Sequence, residues 1–364
     1  MTDLNFPILD YKDPSEYRKN GLMHGEEFRR EIKELLEIRK ELLLLKNPRI
    51  RPHLKEMAKE QYEFSFKFNS DVSTEMKAIA FGANIPLEDL VLLNNYTDFR
   101  DISLPEEGCS TIQSVNTIDS VSGQTWDMHG SAKRFLSVIK IKGNESTPAQ
   151  LIFSIVGCVG MMGYSSNGLM VGVNNLNTLN AQNGLIWPIL VREVLLSKTY
   201  ENMEKTLINA PVTSGHNYLI SSSVEGAHWE VTPKVKEQVS RIGKGNSFIY
   251  HTNHCLGENS KKEENSKSIS LTTENRYQLL KETDPLSLDL EKSYQLLNSH
   301  EGYPKSICSH FNNGSSDPSM TCGGAIGSFK QNKFIFWRGC SKYDQNYVDY
   351  KFKLSEDKRV FNQV

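Results

Sequence analysis

The feature that most constrains the fold is an abrupt change of sequence pattern at Gly108-Cys109. Before this point the chain is helix-rich for more than a hundred residues, as in 24–46, where apolar residues recur at helical spacing among paired charges. After it, short strand-like runs dominate, and helical stretches return only between groups of strands. This order favours an antiparallel α+β sandwich over a repeated βαβ unit.

The periodicity also predicts individual elements. Two hairpins follow Gly108: one pairs 109–116 with 124–129 across a turn near Ser122-Gly123, and the other turns at Asn167-Gly168. The polar segment 257–268 is predicted to be a surface loop. Further strands are predicted at 216–222, 228–231, 247–251, 319–329 and 333–338, and helices at 24–46, 53–67, 73–81, 86–94, 187–197, 202–208, 273–281 and 286–300.

Cys109 is the candidate nucleophile. If the peptide bond before it were cut, this residue would carry both a thiol and an α-amine. The amine has a reference pKa of about 7.7–8.0, against about 8.5 for cysteine, so it is a suitable base for the thiol. Gly108 has no side chain to hinder attack on its carbonyl. Nucleophile and base on one residue are typical of N-terminal nucleophile enzymes. The alternative is a small buried cysteine at the start of a strand.

Four motifs occur in a fixed order and together resemble one known family. They are Gly-Cys-Ser-Thr from Gly108, Trp126-Asp127, the glycine-rich run 160–175, and Tyr-His-Thr-Asn-His-Cys at 250–255. The chain resembles the acyl-coenzyme A:6-aminopenicillanic acid acyltransferase-like autoproteolytic cysteine hydrolases, members of the N-terminal nucleophile hydrolase superfamily. The resemblance implies a four-layer αββα fold. It also implies a helical prosegment, residues 1–108, that stays associated with the catalytic part, residues 109–364, after self-cleavage between Gly108 and Cys109.

The same resemblance assigns roles to two further residues. Asp127 would orient the amine of Cys109, although an aspartate there can also simply cap a turn. Asn253 would donate its side-chain amide to the tetrahedral oxyanion, a task suited to a neutral, preorganised donor. On a strand Asn253 would share a face with His251. An asparagine at a strand-to-turn transition is the plainer interpretation of Asn253.

The glycine-rich run leaves two interpretations open. Its glycines can serve as close-packing sites between layered sheets. Alternatively, backbone amides near Gly157–Gly160 line an acyl pocket whose apolar wall comes from Met161, Met162 and Tyr164.

Bulk properties exclude several function classes. A net charge of −2 with both signs mixed along the chain indicates no nucleic-acid surface. No apolar run is long enough to span a bilayer and no secretory signal is visible, so we expect a cytoplasmic protein without a membrane partner. The six cysteines form no CxxC pair and are expected to remain thiols. A metal site at His251-x-x-His254-Cys255 is disfavoured, because histidines at this spacing diverge on a strand.

The sequence therefore predicts a self-activated cysteine amidohydrolase or acyltransferase. It would act through an acyl-enzyme on amide or thioester bonds of a small N-acyl amine or acyl thioester, and it would need no metal and no organic cofactor. One alternative is a thiol hydrolase that pairs Cys109 with His251 or His254 and needs no cleavage. Another is an inactive relative that serves as a binding or assembly module.

Overall fold

A computed structural model describes residues 5–100, 108–243 and 245–364 of the chain. Parts of the predicted prosegment, residues 1–4 and 101–107, lie outside the described residues. Within the described part, the chain before Gly108 is helical as predicted, except for one strand. These elements are strand β1 (Ile8–Tyr11) and helices α1 (Tyr17–Glu27), α2 (Arg29–Lys46), α3 (Leu54–Phe68), α4 (Ser70–Ala83), α5 (Leu87–Asn94) and α6 (Tyr96–Arg100).

Two sheets follow, and the first of them includes β1. Strand β1 runs parallel to β4, so the N-terminal segment supplies an edge strand that the sequence pattern did not predict. The order of the first sheet is β1-β4-β5-β6-β7-β8-β9-β10. Its other strands are β4 (Leu136–Ile141), β5 (Gln150–Ile155), β6 (Met162–Ser165), β7 (Leu169–Asn175), β8 (His216–Ser221), β9 (Gly226–Val231) and β10 (Lys236–Arg241).

The second sheet carries the hairpin that begins near Cys109. Its order is β11-β2-β3-β12-β13-β14-β15, with antiparallel pairing throughout. Its strands are β2 (Thr111–Val115), β3 (Ser120–His129), β11 (Phe248–His251), β12 (Ser319–Ser328), β13 (Lys333–Arg338), β14 (Val348–Leu354) and β15 (Phe361–Gln363).

The two sheets face each other and helices cover their outer faces. Polar side chains cross the gap: the Tyr164 hydroxyl donates to the Ser122 carbonyl oxygen at 2.7 Å, and Gln124 binds the backbone of Val173 through both its amide atoms. Helices α7 (Trp187–Leu195) and α8 (Tyr200–Ile208) pack on the first sheet, while α10 (Thr273–Lys281) and α11 (Leu290–Leu297) pack on the second. This confirms the predicted αββα layers.

The turn between β2 and β3 differs from the prediction. The chain reverses at 116–119, where the Asn116 side-chain oxygen accepts hydrogen bonds from the backbone N–H groups of Ile118 and Asp119. Gly123 lies inside β3 instead. A Cβ atom added there would approach the carbonyl oxygen of Ala325 on β12 to 2.5 Å. The glycine marks a close approach of two strands and not a turn.

The segment 257–268 is also more structured than predicted. It includes a short helix, α9 (Ser260–Glu263). Ser260 is buried, and its hydroxyl and backbone N–H bind the carboxylates of Glu230 and Glu237. Acidic side chains of the first sheet therefore anchor this polar segment.

A buried ion pair joins the N-terminal helices to the first sheet layer. Arg192 on α7 donates to both carboxylate oxygens of Glu75 on α4, at 2.9 and 3.1 Å, and also to the Val159 carbonyl oxygen at 3.1 Å. Both side chains are buried, so removal of one partner would leave an uncompensated charge in the interior.

We therefore expect Glu75→Ala to lower the free energy of unfolding by about 3–5 kcal/mol, the usual cost of breaking a buried pair. Urea denaturation followed by circular dichroism measures this. Glu63→Ala is the matched control. Glu63 is exposed on α3, so this substitution should lower the free energy of unfolding by less than about 0.5 kcal/mol. Equal effects of the two substitutions would contradict a structural role for the pair.

Candidate active site

The peptide group between Gly108 and Cys109 is held at both of its polar atoms. The backbone N–H of Asp127 donates to the Gly108 carbonyl oxygen at 2.7 Å. The backbone N–H of Cys109 donates to the side-chain oxygen of Asn253, also at 2.7 Å. Cys109 is buried, with 7% of its surface exposed. The predicted cleavage point therefore lies in a fixed position within the interior.

Strand register explains why these residues meet. In the β2–β3 hairpin Thr111 pairs with Gln124, and the Thr125 N–H donates to the Ser110 carbonyl oxygen, so the antiparallel pairing continues to Gly108 and Asp127. On the other side of β2, His251 of β11 pairs with Thr111. Two residues further along, the antiparallel chain brings Asn253 opposite Cys109. The chain at Cys109 is thus flanked by Asp127 on one side and Asn253 on the other.

Gly108 is closely surrounded by charged groups. A Cβ atom added at this position would lie 2.6 Å from the Asp127 carboxylate oxygen Oδ2 and 2.7 Å from Nη2 of Arg276. Both distances are shorter than any real Cβ contact. Any residue with a side chain at position 108 would therefore displace either its own carbonyl group or the side chains of Asp127 and Arg276.

Arg276 is the residue that sequence reasoning missed at this site. It lies on helix α10, whose position the sequence predicted. Its buried guanidinium donates to the Cys109 carbonyl oxygen at 2.6 Å, to Ser110 Oγ at 3.0 Å and to Asn253 Oδ1 at 2.9 Å. Nε lies 4.0 Å from Asp127 Oδ2. No local motif distinguishes this arginine, because its partners come from three distant segments.

Asp127 is held by β12 and buried. Thr321 donates its hydroxyl to Asp127 Oδ1 at 2.8 Å, while Oδ2 accepts no hydrogen bond from the described residues. Burial raises the pKa of Asp127 to about 6, against the opposing influence of the Arg276 cation and the Thr321 hydroxyl. This carboxyl group can therefore exchange a proton near neutral pH.

Asn253 presents its oxygen, and not its amide nitrogen, to Cys109. Its Nδ2 donates to the Asn175 carbonyl oxygen at 3.0 Å, and its backbone N–H donates to Thr273 Oγ1 at 2.7 Å. The residue follows the end of β11 instead of lying within a strand. Its side-chain oxygen therefore anchors the nitrogen of Cys109, and its side-chain nitrogen donates to the end of β7.

A cavity of about 40 Å³ lies beside Cys109. Of the three residues predicted to form an acyl pocket, Met161 lines it. Met162 and Tyr164 do not; they lie on β6 in the core, where the ring of Tyr164 packs against Phe334 and Phe336 of the second sheet. The other cavity-lining residues are Arg39, Asn94, Tyr96, Thr97, Gln124, Trp126, Asp127, Met128, Ile155, Cys158, Val173, Asn175, Trp187, His216 and Asn253.

The histidines proposed as alternative bases lie elsewhere. The two ring nitrogens of His251 lie 2.8 Å from a Glu230 carboxylate oxygen and from the Thr252 carbonyl oxygen. His254 Nδ1 lies 3.0 Å from Thr273 Oγ1. Neither ring lines the Cys109 cavity. His216 does line it, but its Nε2 lies 3.4 Å from Asp98.

The part of the chain that holds most of these residues matches a known protein family. The model of the family described as acyl-coenzyme A:6-aminopenicillanic acid acyl-transferase matches residues 115–322, more than half of the chain. The chain belongs to this family. The matched range contains Asp127, Asn253 and Arg276 and begins six residues after Cys109, so it does not include Cys109.

Three solved structures are similar at low identity. The Caenorhabditis elegans N-acylethanolamine-hydrolyzing acid amidase ortholog is 14% identical, with 61% of this chain and 93% of that chain covered and a TM-score of 0.41. A mutant conjugated bile acid hydrolase from Clostridium perfringens is 11% identical, with 70% of this chain and 96% of that chain covered and a TM-score of 0.45. Penicillin V acylase from Agrobacterium tumefaciens is 12% identical, with 69% of this chain and 93% of that chain covered and a TM-score of 0.36.

Family membership identifies the αββα arrangement as an N-terminal nucleophile hydrolase fold, as the sequence predicted. The family is one of enzymes that act on acyl compounds. Within the described residues, no helix has the length and apolar character needed to cross a membrane.

The raised pKa of Asp127 has a measurable consequence for stability. A carboxyl group whose pKa is about 6 when folded and about 3.9 when unfolded stabilises the fold most below pH 4, and this stabilisation is lost as the pH rises through 6. A shift of about two units corresponds to roughly 3 kcal/mol. The free energy of unfolding of Asp127→Asn, relative to that of the protein with Asp127, should therefore rise by up to about 3 kcal/mol between pH 4 and pH 7.

Urea denaturation at several pH values measures this relative change and cancels any constant effect of the substitution. Asp71→Asn on the exposed start of α4 is the control for the same substitution at a solvent-exposed position. A pH-independent difference between Asp127→Asn and its parent would contradict the raised pKa.

Proposed function

We propose that this protein is a self-cleaving cysteine amidohydrolase or acyltransferase, with Cys109 as its N-terminal nucleophile. The observation that carries the proposal is the doubly hydrogen-bonded Gly108–Cys109 peptide group, which lies between Asp127, Asn253 and Arg276 and beside a cavity. A buried, preorganised donor to the Gly108 carbonyl oxygen favours attack on that carbonyl.

In the cleavage step, Cys109 Sγ would add to the carbonyl carbon of Gly108. The N–H of Asp127 already donates to the carbonyl oxygen and would stabilise the negative charge that develops there. We assign the thiol proton to Asp127 Oδ2, which lies next to Gly108 and has a pKa near neutrality. The C–N bond then breaks as the nitrogen takes up this proton from Asp127, which frees the amine of Cys109. Water hydrolyses the thioester and gives the Gly108 carboxylate and the free Cys109 thiol.

After cleavage, the same groups would prepare the new amine. Asn253 Oδ1 would keep the nitrogen in place, because it already accepts from that nitrogen in the uncut chain. The Arg276 cation donates to both Cys109 and Asn253, and a neighbouring positive charge disfavours the ammonium form. A neutral amine can take the thiol proton when Cys109 attacks the carbonyl of an acyl substrate, and water or an amine would then accept the acyl group.

The cavity must widen before it can take such a substrate. Its volume of about 40 Å³ is far below the roughly 300–1,000 Å³ of ordinary ligand pockets. Tyr96 and Thr97 of α6, which precedes the cleavage point in the chain, form part of its wall. The two fragments would stay associated through the packing of the N-terminal helices and β1.

The apolar part of the wall indicates the substrate class. Trp126, Met128, Met161 and Ile155 lie around the cavity beside the candidate nucleophile. We infer a small compound in which an apolar acyl group is joined to an amine or a thiol.

The first functional prediction concerns maturation. Purified protein should convert into two co-purifying fragments, of which the larger begins at Cys109, and Cys109→Ala should stay at full length. Gly108→Ala should slow conversion by at least about tenfold, since its Cβ would collide with Asp127 and Arg276. Intact mass spectrometry and N-terminal sequencing measure both effects.

Gly130→Ala serves as the matched control, because the nearest atom to an added Cβ there would be Sδ of the flexible Met320 side chain at 3.2 Å, followed by Asp317 Oδ1 at 3.4 Å. It should mature at the normal rate. Folded wild-type protein that keeps a single full-length chain after long incubation would refute self-cleavage.

The second functional prediction concerns turnover of matured enzyme. Removal of one donor or anchor at such a site typically costs about 10²–10³ in kcat. Asn253→Ala, matured in the same way, should lose activity of that order on N-acyl amines, while Asn167→Ala on the exposed hairpin turn should not. Mass spectrometry should find the acyl group on Cys109. A loss below about threefold for Asn253→Ala would move the anchoring role to another residue.

A chain with one extra residue fixed before Cys109 distinguishes the possible bases. It keeps the thiol but converts the amine into a non-basic amide, so it should form little acyl-enzyme. Normal acylation of this chain, together with an inactive His251→Ala or His254→Ala variant, would support the cysteine–histidine alternative instead.

A further inference from the structure

Four potential metal ligands converge away from the Cys109 cavity. They are His300, Cys308, His310 and Cys340, whose ligand atoms all lie within 4.8 Å of one another. His300 Nε2 lies 3.2 Å from Cys340 Sγ, and Cys308 Sγ lies 3.5 Å from His310 Nε2. The proposed cleavage chemistry uses none of these side chains.

The separations fit a tetrahedral zinc site. Zinc binds thiolate sulfur at about 2.3 Å and imidazole nitrogen at about 2.0–2.1 Å, so a sulfur and a nitrogen of one tetrahedron lie about 3.6 Å apart. The two sulfur–nitrogen distances in the cluster, 3.2 and 3.5 Å, are close to this value. Two cysteines with two histidines also form a common ligand set of structural zinc sites.

The four residues come from two separate parts of the chain. Three lie in the connection between α11 and β12, where the Cys308 N–H donates to the Ser299 carbonyl oxygen and the His310 N–H to that of Pro304, both at 3.0 Å. Cys340 follows β13, and its carbonyl oxygen accepts from the Asp344 N–H at 2.9 Å. Independent backbone constraints thus bring the ligands together.

Aromatic packing restrains two of the four ligands. The ring of Tyr343 packs edge-on against His300 and His310, with centroids 5.0 and 5.2 Å away. This aromatic contact limits the orientations of both imidazoles.

We propose that His300, Cys308, His310 and Cys340 bind one Zn²⁺ ion in a closed, structural site. Binding would release the two thiol protons, so that two thiolates balance the charge of the ion. With four protein ligands no coordination position stays open for a substrate, which separates this site from catalysis. A disulfide between Cys308 and Cys340 is the competing outcome, but it would not explain why two imidazoles face the same point.

A bound zinc ion would stabilise the segment around Ser309, which positions the Thr321 side chain beside Asp127. Ser309 lies between two of the ligands, and its backbone N–H donates to Thr321 Oγ1 at 2.8 Å while its carbonyl oxygen accepts from the Thr321 N–H at 3.0 Å. The Thr321 hydroxyl in turn donates to Asp127 Oδ1. The metal would thus fix the loop behind the carboxylate at the cleavage point.

The test is the metal content of untagged full-length protein, purified under reducing conditions and measured by inductively coupled plasma mass spectrometry. We expect about one zinc per chain, and, after exchange with Co²⁺, the visible absorption of tetrahedral cobalt–thiolate coordination. Cys308→Ser and Cys340→Ser should each lower zinc content by at least about tenfold, since even partners outside the ligand shell affect affinity by about 10–100-fold.

Cys255→Ser is the matched control. Cys255 is buried but lies with His251 and His254, outside the cluster, so zinc content should be unchanged. The proposal is overturned if wild-type protein holds less than about one tenth of a zinc per chain and Co²⁺ gives no thiolate absorption. It is equally overturned if peptide mapping finds Cys308 and Cys340 joined as a disulfide, or if Cys255→Ser alone loses the metal. The wild-type measurements need no variant to fold.

Discussion

The arrangement of the site depends on one peptide group, between Gly108 and Cys109, whose carbonyl accepts from Asp127 and whose N–H donates to Asn253. Because Asp127 and Asn253 belong to segments on opposite sides of β2, this peptide fixes the start of the second sheet between its neighbours. The same two hydrogen bonds would polarise the carbonyl and later hold the new amine. One set of contacts can therefore serve both maturation and turnover.

Buried charges surround this group and must compensate one another. Arg276 lies among the Cys109 carbonyl, Asn253 and the Asp127 carboxylate, and Asp127 is supported from behind by Thr321. Arg192 and Glu75 form a second buried pair that joins the N-terminal helices to the first sheet. Buried pairs add little net stability, yet removing one partner is costly, so both pairs restrict the chain to one arrangement. The proposed zinc site would restrict the loop behind Thr321 in the same way.

Local periodicity predicted much of the fold. Helix 273–281 and strand 333–338 have the predicted bounds, and the turn at Asn167-Gly168 lies where the dipeptide predicts it, with Gly168 at a φ of +75°. The errors have physical causes. Gly123 packs against a neighbouring strand instead of turning the chain, and β1 is short and pairs with a strand more than a hundred residues away. Neither contact leaves a signal in the local sequence.

The sequence by itself determined the αββα class, the family resemblance and the candidate positions Cys109, Asp127 and Asn253, because strand periodicity and ordered motifs are properties of the chain. Only the tertiary structure decided which side chains share the site. It brought Arg276 from a helix to Cys109, kept Met161 at the cavity while placing Met162 and Tyr164 in the core, and gathered His300, Cys308, His310 and Cys340. These juxtapositions arise from strand register and from packing between layers, which join residues far apart in the chain.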